Sequence, residues 1–176
     1  MLGDNFDGHG FVAGFLGENS SDVPPEKILQ NKSILIVGAG GAARAIALSM
    51  AEKPVARVDI TNRTHRRAEE AVQLVHNISS GADVFAIKAA DIDFRHYDLV
   101  INATPLGLHE NDDMPLDITL LRADCIVCDI IMMPERTRLI KAAQRSGRPV
   151  HIGRYMLDYQ VELIGEFIGA FEKIDG

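Results

Sequence analysis

The run SILIVGAGGAARAIALSM, residues 33–50, constrains the fold more than any other stretch of this chain. Ile34, Leu35, Ile36 and Val37 make a continuous apolar run of the length of one strand buried on both faces. Glycines follow at 38, 40 and 41, and an alanine-rich helical pattern over about 42–52 comes next. Such a strand, turn and helix close compactly when the helix folds back on the strand, the opening half of a βαβ unit. Gly38 allows the tight turn, Gly40 lets backbone approach a ligand, and Ala43 is small where helix and strand must pack closely. The unpaired N–H groups at the start of that helix favour a phosphate. A plain strand-to-helix turn is the alternative reading, and the strand-turn-helix context favours a nucleotide site.

The rest of the chain repeats the alternation. Further β-branched runs fall at 56–61, 83–88, 98–103, 125–130 and 149–153, with helical patterns over 65–78, 135–146 and 155–173. Apolar runs rather than polar/apolar alternation predict a mostly parallel sheet covered on both faces, a doubly wound α/β fold of Rossmann type. The Rossmann unit is expected over 31–153, preceded by a linker or helix within 1–30 and followed by a C-terminal helix over 154–176. With 47% hydrophobic residues, 176 positions suffice for a real core. A net charge of −7 argues against nucleic acid as the main partner, because such binders need a basic face. No apolar run approaches the ~20 residues that span a bilayer, and the start, MLGDNFDGHG, lacks a basic n-region, so the expected address is cytoplasmic. Cys125 and Cys128 lie inside the apolar run DCIVCDII and read as small buried hydrophobes rather than a redox pair. The six histidines show no ligand spacing, and no metal is expected.

The second strand addresses which nucleotide. A site for NAD usually places Asp or Glu at the tip of that strand, to accept from the ribose 2′-OH. Here the tip reads Asn62, Arg63, Thr64, with Arg66 and Arg67 one turn later. Guanidiniums with no carboxylate among them suit a 2′-phosphate, so NADP is favoured. Arg66 and Arg67 could instead pair with Glu69 and Glu70 on a solvated helix, and Arg63 is the stronger candidate.

Six segments, GDNFDGHGF (3–11), VGAGGAARA (37–45), NRTHRRA (62–68), INATPLGL (101–108), DIIMMPERT (129–137) and GRYMLDYQ (153–160), together resemble the shikimate/quinate dehydrogenase family in order and spacing. The resemblance covers the cofactor-binding part of that family and not its N-terminal domain, which holds most of the substrate pocket and a catalytic lysine. It implies an oxidoreductase using NADP on a small polyhydroxylated acid such as shikimate or quinate. Asp7 resembles the family's catalytic aspartate, and Gln160 a glutamine that reaches a substrate hydroxyl. Gly38, Gly40, Gly41, Ala42, Asn62, Arg63, Thr64 and Arg67 correspond to cofactor-binding positions. Asn102, Ala103 and Thr104 resemble the segment along the ribose and nicotinamide, and Ile130 and Gly153 resemble residues that wall the nicotinamide. Phe6 and Met132 depart from the family pattern, at positions where Thr and Tyr are usual, which points to altered substrate preference or to a weak enzyme, and the chain by itself is expected to be inactive or weak. A stand-alone nucleotide-binding module is the other function the chain allows. Apolar residues around Phe11 and Phe15 and along the last helix predict a homodimer through 5–16 and 155–171, unless the opening segment folds back over that helix.

Overall fold

Six strands, all parallel, lie in the order β3-β2-β1-β4-β5-β6: β1 Ser33–Val37, β2 Arg57–Thr61, β3 Asp83–Ala86, β4 Leu99–Asn102, β5 Ile126–Asp129 and β6 Val150–His151. This computed structural model describes residues 6–19, 24–79 and 81–167, leaving aside the side chains of Phe6, of Glu26 and of 162–167. The expectations that rest on the Phe6 side chain and on 164–171 of the last helix lie outside what is described. The helices are α1 Phe6–Asn19, α2 Pro25–Ile28, α3 Gly41–Ala51, α4 His65–Ile78, α5 Arg138–Arg145 and α6 Gly153–Phe167. Register aligns Val37 with Thr61 on one side and Asn102 on the other, and Asn102 with Asp129. The carboxyl ends of four strands therefore share one edge, with the reversal of strand order between β1 and β4, where doubly wound folds place ligands.

Alternation along β1 separates two cores. Ile34 and Ile36 face a layer that includes Ile46, Met50, Val72 and Val75 of α3 and α4, while Leu35 joins Val100, Val127 and Leu139 on the other face. Between β3 and β4 two short 3-10 turns, Ala89–Asp91 and Phe94–His96, replace a helix; Asp93 caps the second by accepting from the Arg95 N–H at 3.2 Å. The helix expected over 135–146 begins at Arg138, because the Thr137 hydroxyl accepts from the Ile140 N–H at 3.3 Å and sets the N-cap.

The opening segment is part of this body rather than a linker. Helix α1 packs against both α3 and α6. Gly10 and Gly14 make that approach possible: a Cβ at either would stand 2.9 Å from the carbonyl oxygen of Met156 or Tyr155. Phe11 and Phe15 are fully buried and stack at 6.4 Å, and both rings meet His151 edge-on at 5.4 Å. Each buried phenylalanine contributes about 1.5–3 kcal/mol relative to exposure. The seam expected to face water is thus covered from within over Phe11, Val12, Phe15 and Met156, whereas Leu157 and Val161 remain exposed. Cys125 and Cys128 are buried free thiols; burial pushes Cys125 up to about 11 and Cys128 well above the usual thiol range, consistent with packing rather than redox chemistry.

Candidate functional site

A cleft of about 560 Å³ opens at the carboxyl edge of β1 and β2. Val37 and Gly38 form its floor, Asn62, Arg63, Thr64 and Arg67 one wall, and Thr104, Pro105 and Leu106 the other. Each wall is placed by a strand end. Gly38 N–H donates to the Thr61 carbonyl at 2.8 Å, and Ala103 N–H donates to the Val37 carbonyl at 2.8 Å.

Gly38 is fixed by conformation and by space. Its φ is +122°, and an added Cβ would lie 2.5 Å from the Ala103 carbonyl oxygen. Gly40 and Gly41 differ: a Cβ at either would meet nothing within 4 Å, so their absent side chains leave an open hollow over the start of α3. Gly40 caps that helix with no side-chain acceptor, so no side chain of the cap competes for the first N–H groups of the helix. These are the features of an anion cradle.

Arg63 and Arg67 are exposed, and among the described residues neither has an ion pair. Arg66 points elsewhere, donating to Glu70 at 3.1 Å, so of the two readings of the basic run the structure gives Arg66 the solvated pairing. Asn62 is occupied in shaping the turn, its side-chain N–H donating to the Thr64 carbonyl at 3.0 Å. Thr64 caps α4 without a side-chain hydrogen bond, and its hydroxyl is therefore not spent on the helix. Thr61, beside them in the cleft, is 5% exposed, and its hydroxyl has no partner among the described residues.

The sequence did not reveal how the second wall is held. Asn102 is fully buried and its amide is saturated: Oδ1 accepts from the Thr104 N–H at 3.1 Å and the Thr104 hydroxyl at 2.7 Å, and Nδ2 donates to the Leu106 carbonyl and to Asp129 Oδ1, both at 3.1 Å. Its side chain braces the segment from within; Ala103 and Thr104 are half-buried and Thr104 lines the cleft. Asp129, also fully buried, accepts from the Ile131 N–H at 3.1 Å and from the Thr137 hydroxyl at 2.7 Å as well. Burial raises its carboxyl above the usual range, against the pull of those donors. The available signal was a lone Asp ending an apolar strand run, level with Asn102 on the neighbouring strand.

Asp7 and Gln160, distant in sequence, are brought together by α1 and α6: Gln160 Nε2 donates to Asp7 Oδ1 at 2.9 Å, and both are half-buried. Gly153 opens α6 in close contact with the turn after β5, since a Cβ there would sit 2.6 Å from the Ile130 and Ile131 carbonyl oxygens. Ile130 is half-buried, Met132 half-buried and Met133 exposed. Among the described residues no group of three or more His, Cys, Asp or Glu could hold a metal ion, and no helix is long and apolar enough to cross a membrane.

Fold and cleft together define a doubly wound Rossmann-type domain with its site at the strand-order switch. Residues 24–108 match the family described as shikimate / quinate 5-dehydrogenase. The shikimate dehydrogenase (NADP(+)) of Geobacillus sp. strain WCH70 is 34% identical over 177 residues, covering 100% of this chain and 59% of that protein. Quinate dehydrogenase from Corynebacterium glutamicum, solved in complex with NAD, superposes with a TM-score of 0.82 at 28% identity, over 95% of this chain and 58% of that one. The ligand-free 5-ketofructose reductase of Gluconobacter sp. strain CHM43 superposes with a TM-score of 0.77 at 32% identity, over 94% and 57%. The chain is thus similar to members of the shikimate/quinate 5-dehydrogenase family, as a partial match that spans about three fifths of the length of these relatives.

Proposed function

We propose that this chain is the cofactor-binding part of an NADP-dependent oxidoreductase that moves hydride between NADP(H) and a polyhydroxylated ring acid of the shikimate or quinate type. One observation carries the reading: the switch-point cleft is walled on its β2 side by Arg63 and Arg67, which have no carboxylate partner among the described residues. The Geobacillus relative is named for NADP(+) and the Corynebacterium structure holds NAD, so this chain's own charges decide the preference. Two guanidiniums suit a 2′-phosphate, and the missing tip carboxylate removes the usual ribose acceptor of an NAD site.

The residues present fit the cofactor. The hollow over Gly40 and Gly41 and the uncapped start of α3 would hold the pyrophosphate, with Ala42 N–H directed to it. Asn62 and Thr64 shape the turn that presents Arg63 to the ribose phosphate, and Arg67 closes it from α4. When bound, NADP(H) supplies or accepts the hydride at its nicotinamide. Ala103, Thr104 and Ile130 would line the approach to that ring. Asp7 would accept a hydrogen bond from the substrate hydroxyl next to the reacting carbon, and Gln160, already bonded to Asp7, would orient the same group. The half-buried Met132 offers no donor to a substrate carboxylate, which favours weaker recognition of that group. We read the setting as cytoplasmic, in keeping with two unpaired thiols. The assembly is read as a homodimer through the α6 side that carries Leu157 and Val161.

Calorimetric titration of the chain with NADP+ and NAD+ tests the cofactor. NADP+ should bind more tightly, and Arg63→Ala should erase the preference at a cost of about 1.5–3 kcal/mol, the scale of a charge-assisted hydrogen bond. Equal affinities, or an undiminished preference in the variant, would refute it.

A further inference from the structure

Asp129 is a carboxylate without exposure, and every partner it has is a neutral donor: Asn102 Nδ2, the Ile131 N–H and the Thr137 hydroxyl. A group of this kind is expensive to bury, and an apolar side chain of similar size would serve the core as well or better. Packing therefore does not account for it, and its connections do. From Thr137 at the N-cap of α5 the chain of bonds runs through Asp129 to Asn102, from Asn102 Oδ1 to the Thr104 hydroxyl and N–H, and from Thr104 Oγ1 to the Leu106 N–H at 3.2 Å.

The polarity of that chain is forced. An Asn amide reads nearly alike in either of its two flipped orientations, so its neighbours must choose. The Leu106 carbonyl can only accept, and demands Nδ2; the Thr104 N–H can only donate, and demands Oδ1; the Nδ2 so placed then also donates to Asp129 Oδ1. With Oδ1 so turned, the Thr104 hydroxyl donates inward and offers its lone pair to Leu106. The 103–106 segment fixed in this way lines the cleft and abuts Gly38. The same loop is pressed onto the α5 side, where Gly107, at φ +115°, fits against Ile131 and Thr137.

We propose that Asp129 is a positioning residue for the cleft: acting through Asn102, it sets the conformation of the Thr104–Leu106 wall against which the cofactor binds. The affinity part of this inference rests on the cofactor reading above, whereas the conformational part does not. Two amides report it directly, because Thr104 N–H and Leu106 N–H depend for protection on this side-chain chain and not on the strand ladder.

Hydrogen exchange of the whole chain, without ligand, is compared between the wild type, Asp129→Leu and Asp129→Asn. In Asp129→Leu, protection of Thr104 and Leu106 should fall about tenfold relative to Ile36 in β1, the scale of one lost hydrogen bond, and the Kd for NADP+ should rise by a similar factor. Asp129→Asn keeps an oxygen toward Asn102 and can donate to the Thr137 hydroxyl, so it should retain both properties. Unchanged protection of the two amides in a folded Asp129→Leu, or a loss no greater than that at Ile36, would overturn the proposal, as would Asp129→Asn behaving like Asp129→Leu. If Asp129→Leu does not fold, Asn102→Ala breaks the next link and must deprotect the same two amides; their retention there overturns it. A wild-type chain that binds no NADP+ would sink the cofactor reading and leave the exchange result standing by itself.

Discussion

Acidification should destabilise this chain through one side chain, His151. It is 1% exposed among the rings of Phe11, Phe15 and Tyr155, and its Nε2 has no hydrogen-bond partner among the described residues. Desolvation lowers it from about 6.5 to about 4. Above pH 6.5 the imidazole is neutral in both folded and unfolded chains, and its contribution is fully present. As pH falls below that value the unfolded chain takes up a proton that the folded chain refuses, so stability is lost until about pH 4, where the folded form titrates as well. At 1.36 kcal/mol for each tenfold difference in proton affinity the whole loss is about 3 kcal/mol, most of it developed by pH 4.5. Urea denaturation at pH 7.5 and 4.5 measures it in the wild type and in His151→Phe, which keeps an aromatic ring and removes the titrating site. Carboxylates titrate in both proteins, so the difference between the two pH dependences isolates His151. The wild type should lose about 2–3 kcal/mol more than the variant. Parallel pH dependences would refute a buried neutral imidazole at the α1–α6 seam.

Gly38→Ala should cost about 1–3 kcal/mol by chemical denaturation, the scale of one strained backbone position, and should weaken NADP+ binding, because φ +122° and the Ala103 carbonyl at 2.5 Å both exclude a Cβ; wild-type stability in the variant would contradict the geometry of the turn. Light scattering at micromolar concentration should report a dimer that Val161→Glu converts to a monomer, and a wild-type monomer would remove the α6 interface.

The strands were legible because a parallel sheet buried on both faces writes continuous apolar runs, and each such run became a strand within a residue or two. The glycine turn was legible as a turn because it stands between an apolar run and a helical pattern, and Gly38 adopts φ +122° there; the tip at Asn62–Thr64 was legible because it follows directly on the second run. Helix α1 was harder to read. Glycines at 8, 10, 14 and 17 suggest a loop, and only the packed structure shows Gly10 and Gly14 as the face that admits α6. Asp129 and Thr137 were hidden for a related reason: their function depends on Asn102 standing opposite Asp129 in register, which is a property of the sheet rather than of either stretch. Gly153 has a packing constraint that its own stretch does not show, because the carbonyls of Ile130 and Ile131 that exclude a Cβ there belong to the turn after β5.

Backbone amide chemical-shift mapping with NADP+ tests the central claim most directly. The account predicts that the largest changes fall on Gly40, Gly41, Ala42, Arg63, Thr64 and Thr104, the residues gathered around the carboxyl ends of β1, β2 and β4. It predicts none at Arg57, Asp93 and His96, which line a separate cavity of about 210 Å³. Changes centred on that second cavity, or none at the glycine turn at saturating nucleotide, would contradict it.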